Sequence, residues 1–264
     1  MNYKDQVVWI TGASSGIGEA MAYAYYKEGA NLIISARRIK ELERVKSNCG
    51  HGMGEIHIIE LDLADLSSHE HIAKEALKIY GHIDVIVNNG GISQRGLAHE
   101  TEMSVVEQVM AVNFLGSVSI TKQLLPSMIA RKKGHIIVIS SVVGKIGTRL
   151  RSTYAASKHA LHGWFDSLRQ EVFVHNIDVT LVCPGFVKTS VTLNALTPDG
   201  SKLNMMGEAQ MKGLTTEEFI KKLMPKLKKR KKEIYIGGKE ILTIYLKRFV
   251  PGLLEIILRK VKTT

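Results

Sequence analysis

Two cysteines, Cys49 and Cys183, are all that the 264 residues contain. They are too few for a disulfide framework, and a reduced, intracellular pair of thiols is the expectation. Long apolar runs are absent too, since none approaches the roughly 18 uninterrupted residues of a membrane span. The amino terminus, Met1-Asn2-Tyr3-Lys4-Asp5-Gln6, has no basic segment leading into an apolar one, so no signal peptide is expected. Surplus charge is scarce over the first 200 residues. The net +11 comes almost wholly from residues 201–264, with 16 Lys+Arg and 6 Asp+Glu against 20 and 19 before them. A near-neutral body argues against a nucleic-acid binder. Apolar residues are plentiful: a 45% share is enough for a sizeable core and argues against disorder. The length suits one α/β domain.

That body alternates short apolar runs with helical patterns. Residues 7–10 form a strand-like run ending in Thr11-Gly12-Ala13-Ser14-Ser15-Gly16-Ile17-Gly18, followed by a helix with Ala20, Met21, Ala24 and Tyr25 on one side. Strand, glycine-rich turn and helix is the context of a dinucleotide site: Gly12 for the tight turn, Gly16 for approach of backbone to phosphate, Gly18 for helix–strand packing. The helix N-terminus offers free N–H groups to a pyrophosphate. Further strands are expected at residues 31–36, 55–61, 83–87, 135–139, 177–182 and 233–236. The almost wholly apolar runs among them indicate strands buried on both faces. The pattern predicts a Rossmann-type, doubly wound parallel sheet in a single domain with a helical C-terminal extension. Polar or glycine-containing segments at the strand ends should gather on one edge.

The second strand ends in Ala36 and lacks the carboxylate that grips a ribose 2′-hydroxyl in NAD sites. Arg37 and Arg38 follow, and arginine suits a 2′-phosphate, so NADP(H) is the expected cofactor. Arg37 is the better candidate; Arg38 could merely open the next helix. Asp62, with Leu63 after it, could accept from the adenine amine or cap a helix beginning near Leu66. Asn113 falls inside a helical region over residues 104–130, as a satisfied core amide or a local distortion of the helix.

Tyr154 and Lys158 stand four residues apart, on one face of a predicted helix. A phenol is a poor acid or base near neutrality, with a reference pKa of about 10. A nearby ammonium lowers that value and makes the pair competent in alcohol–carbonyl proton transfer. Arg149 and Arg151 precede this helix and could meet an anionic substrate, stay solvated or pair with acids. His69 and His71 read as surface residues, and no histidine falls into a metal-ligand pattern.

Thr11-Gly-Ala-Ser-Ser-Gly-Ile-Gly18, Asn88-Asn-Gly-Gly91, Asn113, Ser141, Tyr154-xxx-Lys158 and Pro184-Gly185 together resemble the short-chain dehydrogenase/reductase family over residues 5–190. Residues 151–160 are similar to its 11β-hydroxysteroid dehydrogenase-like branch. The resemblance implies Tyr154 as general acid or base, Lys158 as the group lowering its pKa and holding the nicotinamide ribose, and Ser141 on the substrate oxygen with Ser140 as the alternative. It implies Asn113 holding a water for proton relay, Asn89 at the cofactor, and Val187 and Thr189 at the carboxamide. The family usually has Asn-Asn-Ala-Gly, and Gly90 in place of alanine should loosen that turn slightly. The implied activity is reduction of a lipophilic carbonyl, or oxidation of the matching alcohol, by a homodimer or homotetramer. A non-catalytic NADP-binding regulator or scaffold is the alternative.

Residues 190–214 read as a substrate lid, in which Met205, Met206 and Met211 could line an apolar pocket or form a mobile loop. A helix is expected over residues 215–232, starting at a Thr-Thr-Glu-Glu cap. Residues 239–264 form a basic, apolar extension that could lie on a membrane or cover a pocket or subunit interface. A cytoplasmic location follows, with peripheral contact at the inner face of a membrane as an open reading.

Overall fold

A computed structural model describes residues 3–50, 52–205 and 207–260; Met206 of the expected lid and residues 261–264 of the tail lie outside it. Seven strands form one parallel sheet: β1 (Val7–Thr11), β2 (Asn31–Ala36), β3 (Ile56–Glu60), β4 (Val85–Asn88), β5 (Gly134–Ile139), β6 (Ile177–Pro184) and β7 (Glu233–Ile236). Their order is β3-β2-β1-β4-β5-β6-β7. Successive crossovers reverse direction between β1 and β4, and a crevice opens there beyond the carboxyl ends of the strands.

The two-residue period of each strand feeds two separate cores. Val8 and Ile10 of β1 join Leu32, Ile34, Val85 and Val87 against α1 (Gly16–Lys27), α2 (Ile39–Asn48) and α8 (Thr216–Lys228). Val7 and Trp9 join Ile33, Ile86, Ile136 and Val138 on the other face. There they meet α3 (His69–Tyr80), α5 (Gly116–Arg131) and α6 (Ser152–Val172). Apolar runs such as Ile136-Ile137-Val138 arise because both faces are covered.

One helical stretch among the described residues, Met103–Arg131, is long and apolar enough to cross a membrane. Here it lies along the sheet, with Ile120, Leu124 and Met128 in the core. It consists of α4 (Met103–Met110), a π-helical turn Ala111–Leu115 and α5. Asn113 sits in that turn, so of its two readings the local distortion is realised, while its amide is also satisfied.

Toward the carboxyl end, Thr215 and Glu218 form a capping box at the start of α8. The helix stops at Lys228, not Lys232, because Arg230 takes a left-handed φ of 50°. The lysine run is partly spent on structure: Lys226 donates to the Tyr235 carbonyl and Lys228 pairs with Glu28 at 2.8 Å. After the four-residue helix α7 (Glu208–Met211) and α8, the chain ends in α9 (Leu242–Phe249) and α10 (Pro251–Lys260).

Candidate active site

The glycine-rich turn after β1 sits at the crevice. Gly12 has φ +64°, and a Cβ there would come within 2.6 Å of the Gly90 Cα. Ser15 begins α1 with no side-chain cap, so the first N–H groups around Gly16, Ile17 and Gly18 are open to an anion. A Cβ on Gly18 would lie 2.4 Å from Asn89 Nδ2 and 2.5 Å from the Gly12 carbonyl oxygen. These features form a cradle that fits a dinucleotide pyrophosphate. Thr189 reaches it as well, since its methyl lies 3.2 Å from where a Gly16 Cβ would stand. Val187 is buried behind, in a bridge with Leu214.

Several expectations are corrected. Arg38, not Arg37, reaches the turn: its Nη2 donates to Ser14 Oγ at 3.0 Å and to Ser15 Oγ at 3.4 Å. Arg37 is exposed. Sequence reading missed Arg44, which donates to the Ser14 carbonyl and pairs with Glu19 across to α1. Asp62 does not cap α3, which begins only at His69; its Oδ1 accepts from Ala64 N at 3.0 Å. His69 is buried, not a surface residue, with Nε2 3.0 Å from the Asp62 carbonyl oxygen. Asn89 spends its Nδ2 on the Thr11 and Gly12 carbonyls, stapling the β4 loop to the glycine turn. At Gly90, Leu63 Cδ1 lies 2.3 Å from the position a Cβ would take, so the space of the missing methyl is filled.

At the neighbouring edge, β5, the π turn and α6 converge. Lys158 Nζ donates to the Ile139 carbonyl at 2.9 Å and lies 5.8 Å from the Tyr154 ring centroid. Both Lys158 Nζ and Asn113 Oδ1 border Gly91. Asn113 is fully buried: Oδ1 accepts from Ile92 N, and Nδ2 donates to Ile92 O and Ser157 Oγ. The π turn supplies the register that lets one amide satisfy both backbone groups of Ile92, and such turns recur at functional sites. Ser157, which carried no sequence signal, passes the link on to the Tyr154 carbonyl at 2.8 Å.

Burial raises the Tyr154 pKa; the Arg151 charge and a hydrogen bond with Ser141 oppose it. Burial also lowers Lys158 to about 8. The Arg151 guanidinium Cζ also lies 5.8 Å from the ring centroid, as far as the Lys158 ammonium. Ser141, at the rim, accepts from Val143 N. Ser140 turns inward to His162 Nε2 at 3.0 Å, which favours Ser141 of the two.

Behind this edge, Cys183 Sγ lies 3.6 Å from His162 Nε2, and Glu233 Oε1 lies 3.2 Å from His162 Nδ1. Cys183 and Glu233 approach opposite nitrogens of one ring, and Lys145 neutralises Glu233. That makes a buried polar chain under Lys158 rather than ligands converging on one ion. Burial and the Glu233 charge push the Cys183 thiol up to about 12, so it is inert. In the lid, Met205 and Met211 are 68% and 50% exposed.

Comparison with known proteins places the chain in a family. The sequence model of the short chain dehydrogenase family matches residues 6–199. Dehydrogenase/reductase SDR family member 7B of Xenopus laevis is 41% identical over 254 residues, 94% of this chain and 79% of that protein. Human dehydrogenase/reductase SDR family member 7 is 41% identical over 253 residues, covering 94% and 75%. An alcohol dehydrogenase from Thermococcus sibiricus, solved with 5-hydroxy-NADP, shares the fold with a TM-score of 0.77 at 24% identity, covering 90% of this chain and 98% of that one. The chain belongs to the short-chain dehydrogenase family, as a hydride-transferring oxidoreductase that uses a nicotinamide cofactor.

Proposed function

We propose that the protein reduces a carbonyl on a lipophilic substrate, or oxidises the corresponding secondary alcohol, with NADP(H). The observation that carries this reading is the meeting of Tyr154, Ser141 and Lys158 at the sheet edge beside the glycine turn. A bound nicotinamide supplies or accepts the hydride. The chain does the rest. Tyr154 gives its proton to the carbonyl oxygen, or takes one from the alcohol. Ser141 hydrogen-bonds the same oxygen and stabilises the charge that develops on it. Lys158 and Asn113 hold the ribose side and the route by which Tyr154 regains its proton.

Gly12, Ser14, Ser15, Gly16, Ile17 and Gly18 would hold the pyrophosphate, with Asn89 fixing the turn. Asp62 and Leu63 would flank the adenine, and Val187 and Thr189 the carboxamide. Arg38 supports NADP(H) over NAD(H): a guanidinium beside two serine hydroxyls suits a 2′-phosphate, and Ala36 offers no carboxylate to repel one. Residues 190–214 serve as substrate cover, and two or four copies associate through the long helices, which the mass in solution tests.

A panel of ketones with NADPH and NADH side by side tests the reading. NADPH should be preferred, Arg38→Ala should erase that preference, and Tyr154→Phe should bind NADPH with nearly no turnover. Equal activity of Tyr154→Phe and wild type would sink the mechanism, and absence of turnover on every ketone would favour a non-catalytic NADP-binding protein.

A further inference from the structure

Arg151 and Arg95 are half-buried cations on the two segments that meet at the start of α6, and the mechanism above uses neither. Arg151 opens α6 and lies over the Tyr154 ring. Arg95 stands in the loop after β4, and the Gly96 N–H donates to the Leu150 carbonyl at 3.1 Å, bringing the two arginines side by side. The loop is clamped. Arg95 N donates to the Leu196 carbonyl at 2.8 Å, Pro198 fills the space beside Gly96, and buried Gln94 donates to Thr101 Oγ1 at 3.1 Å. Leu150 takes a left-handed φ of 64° to present Arg151 at the start of α6, a conformation that strains a non-glycine residue.

Among the described residues neither guanidinium has an ion-pair partner. Burial lowers the pKa of both, and Arg95 is lowered further by the Arg151 charge. The helix α6 has no acidic residue in its first turn and no side-chain cap. Arg149 is exposed. Withdrawing two like charges from water without a counterion is costly, and a rigid loop and a strained turn hold them where that cost is met.

We infer that Arg95 and Arg151 form an oxyanion subsite, so that the substrate is a ketone or alcohol bearing a carboxylate or phosphate only a few bonds from the reacting carbon. The short spacing is set by Arg151 lying over the Tyr154 ring itself, its Cζ 5.8 Å from the ring centroid. The inference rests on the reading of Tyr154 as proton donor, and deepens it by naming the substrate class.

The test uses the full chain with four probes: a γ-keto fatty acid, its primary amide, its keto isomer at the ω−1 carbon, and a phosphate monoester with the γ-keto spacing. Charge-assisted hydrogen bonds predict kcat/KM at least about tenfold higher for the γ-keto acid than for its amide, mainly through KM. The ω−1 isomer should show no such gain. The phosphate arm decides which oxyanion the pair prefers. Arg95→Gln and Arg151→Gln should each bring the acid-to-amide ratio toward one, and Arg95→Lys should retain part of it. A merely electrostatic role of Arg151 on Tyr154 would shift the pH profile and leave the ratio alone.

Calorimetric titration of acid and amide into protein saturated with NADP+ reads the subsite without turnover. Turnover with no preference for the acid, or a preference that survives both glutamine variants, overturns the subsite. Selective binding of the acid with no turnover of any ketone would instead sink the oxidoreductase reading and leave the subsite standing.

Discussion

Lys158 is the residue at which function and stability pull apart most clearly. It is 4% exposed, and burial takes its pKa from 10.5 to about 8. Between those values the unfolded chain binds the proton and the folded chain does not, so stability rises with pH across that window. Below about pH 8 the folded protein carries the full penalty, roughly 3 kcal/mol at 1.36 kcal/mol per pKa unit. Replacing the ammonium also removes the bond from Nζ to the Ile139 carbonyl, worth about 1 kcal/mol. Cofactor-free Lys158→Met should therefore be inactive yet about 2 kcal/mol more stable than wild type at pH 7 by urea unfolding. That gain should vanish by about pH 10.5. A variant less stable than wild type at pH 7 would mean that burial does not tax this lysine. The Tyr154–Lys158 spacing was readable from helical periodicity. That Arg151 also stands over the Tyr154 ring was not readable, because it depends on how the loop before α6 turns at Leu150.

At the scale of elements, the turn after β1 and the loop after β4 behave as one part. Asn89 and Thr11 join them: the Asn89 amide donates to two carbonyls of the turn, and Thr11 Oγ1 accepts from the N–H groups of Asn89 and Gly90. Gly18 sits where a methyl group would strike both Asn89 and the Gly12 backbone. Gly18→Ala should therefore destabilise the fold by about 1–3 kcal/mol, in the range of overpacking. It should also weaken NADPH binding, read by nucleotide fluorescence. Wild-type affinity in that variant would separate the cradle from the cofactor. The capping box of α8 was legible because its four residues are contiguous. The π turn at Asn113 was not, because its cause is tertiary: Gly116 packs directly on the Leu63 backbone and the Asn113 amide is claimed by Ile92.

Across the whole molecule, the basic tail packs back against the segment after Ser141. Leu254 of α10 is buried with Val142 and Ile146, immediately after Ser141. The opposite face keeps Tyr245, Phe249, Leu253 and Ile256 exposed among Lys247, Arg248, Arg259 and Lys260. An apolar face bordered by cations suits an anionic lipid surface, and we propose that α9 and α10 rest on one. Flotation with phosphatidylserine-containing liposomes should recover the full chain, and deletion of residues 239–264 should abolish recovery. Equal flotation of both would remove the proposal. Binding should weaken as salt rises, since the attraction is screened within about 10 Å at 0.1 M.

Local pattern by itself determined the alternating α/β order, the glycine turn, the parallel sheet and the Tyr154–Lys158 pair. Each is written in contiguous residues whose spacing follows the 2.0 or 3.6 period of its element. Only tertiary structure decided which of two adjacent arginines reaches Ser14, that Leu63 fills the space at Gly90, and that Arg95 joins Arg151 beside Tyr154. Those outcomes depend on side chains 20 to more than 50 positions apart meeting at the ends of neighbouring strands, a distance over which sequence periodicity carries no information.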